Sequence, residues 1–118
     1  MGDVLDLTIN RRDKNGAILL DLQGKLTLGE ECKELRGQVV GLLGAGERKI
    51  VLNTGGLTRV DSAGIGTLVE VVILTAKEGG RVRLINLPRL LHSSLVVHRL
   101  LQAFDVFSTE EEALASFQ

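Results

Sequence analysis

The run Lys49-Ile50-Val51-Leu52-Asn53 is nearly all apolar, and a helix-length segment separates it from a second strand-like run, Arg81-Val82-Arg83-Leu84-Ile85-Asn86. An uninterrupted apolar run suits a central strand covered on both faces, whereas a strand with one wet face alternates polar with apolar. Two such strands joined by a helix pair in parallel, with a right-handed crossover. This feature confines the chain to an α/β arrangement in which helices pack on a sheet.

The remaining segments fit around that unit. Val4, Leu5, Leu7 and Ile9 form one broken apolar segment, and Ala17-Ile18-Leu19-Leu20-Asp21-Leu22 forms another, with Asp13-Lys14-Asn15-Gly16 between them. Asn-Gly supplies the positive φ angles of a tight turn, which predicts an antiparallel hairpin. Gly24 and Gly29 bracket Lys25-Leu26-Thr27-Leu28, a short strand or extended link. From Glu30 the period changes. Cys32, Leu35, Val39, Leu42 and Leu43 share one helical face, and Gly44-Ala45-Gly46 stops the helix. A loop with Gly55-Gly56 is expected after Asn53, then a helix from Ala63 to about Glu78 started by Asp61 or Ser62. Pro88 can open a third helix, with Val97, Leu100, Leu101 and Phe104 as its stripe. Phe104-Asp105-Val106-Phe107 reads as a short edge strand. Ser108-Thr109-Glu110-Glu111 reads as an S-x-x-E capping box before a last short helix with Ala113, Leu114 and Phe117 on its apolar side. The expected fold is one α/β domain over residues 1–118, a mixed sheet of four to five strands with about four helices packed against it.

Composition excludes several classes of function. With 14 Lys and Arg against 15 Asp and Glu, the formal net charge is −1, which gives a nucleic acid no basic excess to bind. Trp and Tyr are absent and Phe is 3, so bases would find few stacking platforms. The single cysteine, Cys32, forms no intramolecular disulfide and no cysteine zinc cage, and it points to a reducing, cytoplasmic setting. The start of the chain is acidic and lacks an apolar signal core. Glu70, Thr75, Ser93 and Arg99 interrupt the apolar stretches well short of the ~20 residues that cross a bilayer, so membrane insertion is not expected.

Enzyme constellations are also missing. His92 and His98 are six apart on a predicted helix and would not share a face as metal ligands do. Gly44-Ala45-Gly46-Glu47-Arg48-Lys49 lacks the phosphate-loop spacing, and its glycines follow a helix instead of preceding one. No G-x-S-x-G elbow surrounds a serine. No catalytic residue, metal or cofactor is expected. What remains is Val60-Asp61-Ser62-Ala63-Gly64-Ile65-Gly66, a helix N-terminus. Asp61 can cap it, and a phosphate on Ser62 would meet free amides and the positive end of the helix. The plain alternative is a cap and nothing more. The helix behind carries more apolar residues than one face needs: Ile65, Leu68, Val69, Val72 and Ala76 make a core stripe, while Val71 and Leu74 fall on the other side near Thr67 and Glu70. That second strip is either a partner surface or is covered by a neighbouring element.

In this order and spacing, several segments make the chain resemble a STAS domain, the fold of bacterial anti-sigma factor antagonists. They are Gly24-Lys25-Leu26-Thr27, the strand Ile50–Asn53, the Val60–Gly66 signature, the strand Leu84–Leu87, and Phe104–Phe107 before Glu110–Ala113. The resemblance spans nearly the whole chain. It implies that Ser62 is phosphorylated by an anti-sigma factor that is also an ATP-dependent serine kinase, that the unphosphorylated form binds that kinase, and that a serine phosphatase resets the phosphorylated form. The implied contact surface comprises Thr27, Asp61, Ser62, Ala63, Gly64, Ile65, Gly66, Thr67, Glu70, Val71 and Leu74. Gly64 and Gly66 would keep the helix start slim for close approach. Three positions depart from the common pattern: Thr27 where an acid is frequent, Asn53 where the strand often ends in aspartate, and Ala63 where a second hydroxyl is frequent. STAS domains also serve as fixed subunits of stress-signalling or lipid-transport assemblies, and some relatives are thought to bind nucleotides, which leaves a scaffold and a small-ligand sensor as alternatives.

Overall fold

Asn15 and Gly16 both adopt left-handed backbone, with φ of 54° and 79°. This is the two-residue turn that matches the twist of a hairpin. It joins β1 (Leu7–Lys14) to β2 (Ala17–Leu26) in an antiparallel ladder running from Lys14↔Ala17 to Leu7↔Gly24. A computed structural model describes residues 4–118 of the chain. In it β3 (Lys49–Val60), β4 (Arg81–Ile85) and β5 (Asp105–Phe107) continue the sheet in the order β1-β2-β3-β4-β5, and every pair after the hairpin is parallel. The expected mixed sheet is thus five-stranded, with four α-helices.

Alternation along the strands divides the core between two faces. Leu20, Ile50, Leu52 and Leu84 point to one face. They pack there with Leu35 and Val39 of α1 (Glu30–Gly44), Leu68 and Val71 of α2 (Ser62–Lys77), and Leu91 and Leu95 of α3 (Arg89–Val97). Leu19, Val51 and Ile85 point to the other face with Ala17, where Ala113 and Leu114 of α4 (Glu110–Ala115), with Phe107 and Phe117, cover them. Burial of side chains of this size stabilises by roughly 1.5–3 kcal/mol each, so the three-helix face supplies most of the cohesion.

Several sequence expectations are corrected. Gly55-Gly56 is not a loop: β3 passes straight through it, with register shifts against β2 between Asp21 and Gln23 and between Gly24 and Lys25. The glycines serve close packing, since a Cβ on Gly56 would lie 2.6 Å from the Leu22 carbonyl oxygen. Lys25-Leu26 is the end of β2, not a separate strand. In α3 the buried residues are Leu91 and Leu95, whereas Val97 is 74% exposed. Arg99, at φ 57°, ends that helix, so Leu100, Leu101 and Phe104 reach the core from a turn and an extended segment. The cap of α4 is Thr109, one residue later than the box read from sequence. Its hydroxyl accepts from the Glu112 N–H at 3.1 Å and donates to the Glu112 carboxylate at 3.1 Å. On α2 the inward stripe is Gly64, Leu68, Val71 and Thr75, while Ala76 is exposed.

A charged network ties α4 to the hairpin. Arg12 donates through Nε and Nη2 to both oxygens of Asp21, at 2.6 and 3.0 Å, and through Nη2 to Glu110 at 2.7 Å. Lys14 reaches the other Glu110 oxygen at 3.2 Å. Arg12 holds Asp21 and Glu110 below the usual carboxylate range; partial burial opposes it, and Asn53 and Lys14 respectively add to it. Depressed values mean that this stabilisation is complete above the unfolded carboxyl values, about 4, and fades as pH falls through the folded ones. Arg12→Ala is expected to cost about 1 kcal/mol at pH 7, because the pairs are partly exposed. In urea titrations between pH 2 and pH 7 the variant should also lose stability less steeply than wild type below pH 4.

Candidate functional site

The link from β3 into α2 is built around one carboxylate. Asp61 takes extended backbone at the N-cap of α2, and its Oδ1 accepts from the Gly64 N–H at 2.8 Å. Its Oδ2 accepts from the Leu28 N–H at 2.9 Å. Asp61 therefore caps a helix and pins the β2–α1 connection to the helix start. The Leu28 N–H does most to hold the carboxyl below its ordinary value. Partial burial opposes this, and the Gly64 and Ala63 N–H groups and the charge of Arg59 add to it. Bonds to backbone N–H groups favour the ionised form because that form is the stronger acceptor.

With Asp61 as the cap, Ser62 is the first helical residue and is exposed. Among the described residues no side-chain hydrogen bond engages its hydroxyl. It stands at the rim of a hollow of about 480 Å³ floored by Ile65 and Val69 and bounded by His98 and Leu100. The cap occupies a different side chain from the free hydroxyl. A phosphate on Ser62 would lie over the first-turn amides, where the helix dipole favours an anion by roughly 0.3–1 kcal/mol.

The other expected site residues divide into two sets. Thr27 is half-buried in the pinned connection, its carbonyl accepting from the Cys32 thiol at 3.1 Å. Ala63, Gly66, Glu70 and Leu74 lie along the accessible side of α2 and line a shallow groove there. Glu70 is tied across to Arg36 of α1 at 3.1 Å. Gly66 has open space where a Cβ would stand, which leaves the backbone approachable. Gly64 and Val71 face inward, away from the accessible side of α2, whereas Thr67, at 8% exposure, still lines the groove there. A Cβ on Gly64 would collide with the Leu26 carbonyl oxygen, the Thr67 hydroxyl donates to the Ala63 carbonyl at 3.0 Å, and Val71 is fully buried. Ile65, at 8% exposure, is floor rather than rim.

Two residues belong to this surface that sequence reasoning missed. Leu28 is 78% exposed beside the Asp61 clamp, and Ile73 is 49% exposed on the groove of α2. Ile73 carried a signal: it falls three and seven residues after Glu70 and Gly66, on their helical face. Leu28 carried none, because its exposure depends on which N–H the clamp takes.

Comparison with known proteins follows this geometry. A family model described as Mlab, STAS domain matches residues 9–106. Among curated proteins the comparison returns no match. An anti-sigma factor antagonist from Mycobacterium paratuberculosis superposes with a TM-score of 0.78 at 15% identity, covering 93% of this chain and 92% of its own. The Bacillus cell fate determinant SpoIIAA, in its phosphorylated form, gives 0.72 at 19% identity, covering 94% and 100%. The murine anion transporter Slc26a9 gives 0.72 at 18% identity, covering 89% of this chain but 18% of its own. At these identities the likeness establishes the fold.

Asp61→Ala should lower stability by about 1–2 kcal/mol, the range for loss of a cap, and should speed amide exchange at Leu28. Gly64→Ala should cost at least as much, since the new methyl meets backbone that cannot rotate away. Unfolding curves and exchange rates read both effects.

Proposed function

Since the chain belongs to the STAS domain family, we propose that it is a bacterial anti-sigma factor antagonist, switched by phosphorylation of Ser62. The observation that carries this reading is the free, exposed Ser62 hydroxyl on the first turn of a helix already capped by Asp61. A phosphoryl group can be added there without removing a bond that the fold uses. The Bacillus protein of the same fold, solved in a phosphorylated form, supports the same reading.

In this reading the unmodified domain binds, in the cytoplasm, an anti-sigma factor that carries ATP-dependent serine kinase activity. The contact runs from Leu28 and Ser62 along Gly66, Glu70, Ile73 and Leu74. The kinase moves the γ-phosphoryl group of ATP to the Ser62 Oγ, the hydroxyl proton leaves, and ADP is released. The domain performs no chemistry of its own. The added charge of about −1.5 to −2 stands next to Asp61, whose oxygens are engaged and cannot turn away. A partner surface that accommodated a hydroxyl then faces a dense anion, and the association loosens. A serine phosphatase restores the hydroxyl. The murine transporter, of which the matching fold is a small part, favours a second reading in which the domain is a permanent subunit of a larger assembly and Ser62 is never modified.

Incubation with the anti-sigma kinase and Mg-ATP should label wild type and leave Ser62→Ala unlabelled. Ser62→Asp should weaken partner binding at least tenfold, with a melting temperature within about 3 °C of wild type. Unfolding by Ser62→Asp would make Ser62 a structural residue. Undiminished binding by a folded Ser62→Asp, or labelling of Ser62→Ala, would remove the phosphoswitch.

A further inference from the structure

β3 outruns one of its neighbours. Its pairing with β4 ends at Asn53↔Ile85, while its pairing with β2 continues to Leu26↔Val60. From Thr54 to Val60 the strand therefore has a strand partner on one edge only. The stretch Leu57–Val60 forms one wall of a hollow of about 410 Å³, and the start of α3 forms the other. An unpaired strand edge offers a row of backbone donors and acceptors to any extended chain that reaches it.

The side chains around this hollow select what kind of chain would fit. Leu57 and Leu91, 5% and 3% exposed, make an apolar floor, and Leu90 stands at the rim, 78% exposed. Arg59 and Arg89 are exposed on opposite walls, and among the described residues neither makes an ion pair. Asp61 feels the charge of Arg59, but both of its oxygens are already taken by backbone N–H groups. From Gly79 to Phe104 the sequence contains no Asp or Glu, so the α3 wall has no countercharge of its own. Helix α3 also starts at Pro88 without a side-chain cap, which leaves first-turn amides to add positive field.

We propose that this hollow binds an extended acidic segment of a partner protein, which adds a strand to the free edge of β3 at Leu57–Val60 and sets carboxylates against Arg59 and Arg89. Side chains of an added strand alternate, so apolar residues between the acids reach the floor at Leu57 and Leu91. An anionic lipid would use the arginines and the apolar floor but would leave the strand edge unpaired. The edge is what favours a peptide. The site lies apart from the accessible side of α2, although it shares Val60 and Ser94 with the hollow at Ser62. The proposal does not depend on phosphorylation.

The test is selection of displayed random heptapeptides on the wild-type protein, followed by synthesis of the most enriched sequence and its NMR titration. The expected sequences alternate Asp or Glu with apolar residues. The expected amide shifts centre on Leu57–Val60 and Arg89–Leu91. Arg59→Glu with Arg89→Glu, both at exposed positions, should weaken the peptide at least tenfold while the rest of the spectrum stays unchanged, and methylating alternate peptide nitrogens should abolish binding. Enriched peptides without acids, or shifts confined to α2, would overturn the proposal. So would vesicles of anionic phospholipid that bind through the same amides and displace the peptide, or self-association of the protein through this edge. An unaffected affinity in the double variant would reduce Arg59 to a guard against edge pairing and would likewise overturn it.

Discussion

The Asp61 carboxylate, shared between the Leu28 and Gly64 N–H groups, sets the geometry of the start of α2 and of the connection packed against it. One oxygen terminates a helix and the other anchors the connection between β2 and α1. Two segments 33 residues apart in sequence thus become one rigid surface. Because the cap is supplied by Asp61, the neighbouring serine is relieved of structural duty. In the proposed switch, modification and helix capping fall on two side chains one position apart, so modification is not coupled to unfolding.

The same economy shapes α2. Its inward side is slim at Gly64, where the Leu26 carbonyl oxygen lies against the helix, and bulky at Leu68 and Val71, which enter the three-helix core. Its outward side is slim at Gly66 and ends in Ile73 and Lys77. Internal packing fixes the rotation of the helix about its axis, and that rotation decides which residues a partner can reach. A change of charge at Ser62 acts on a surface whose shape is held from behind, so it alters the local field more than the fold.

Much of this was legible in the sequence, for identifiable reasons. Asn15-Gly16 demands a left-handed turn, and the apolar run after Lys49 demands a covered strand, so the hairpin and the parallel crossover follow from local chemistry. A cap at Asp61 or Ser62 follows from the orphan amides every helix start must satisfy, and the structure gives it to Asp61. The phase of α2 is not legible: with apolar residues on most sides, periodicity allows several rotations and leaves open whether Val71 meets a partner or a neighbouring element, and it is fully buried. The deciding contact, Gly64 on the Leu26 carbonyl oxygen, is tertiary. The length of β3 was hidden for a related reason. Gly55-Gly56 reads as a loop when only backbone freedom is considered, yet a Cβ at Gly56 would meet β2. In the third helix the apolar stripe expected from sequence runs through residues beyond its end, since nothing local announces that Arg99 turns left-handed.

The central claim is that phosphorylation changes the charge at the start of α2 without releasing the clamp beneath it. Amide hydrogen exchange of the protein phosphorylated at Ser62, compared residue by residue with the unmodified protein, tests this directly. The Leu28 and Gly64 amides should keep their protection, with changes limited to the first turn of α2. Rapid exchange at Leu28 after phosphorylation would mean that the carboxylate lets go and the surface is remade, which would contradict a switch that works by charge alone.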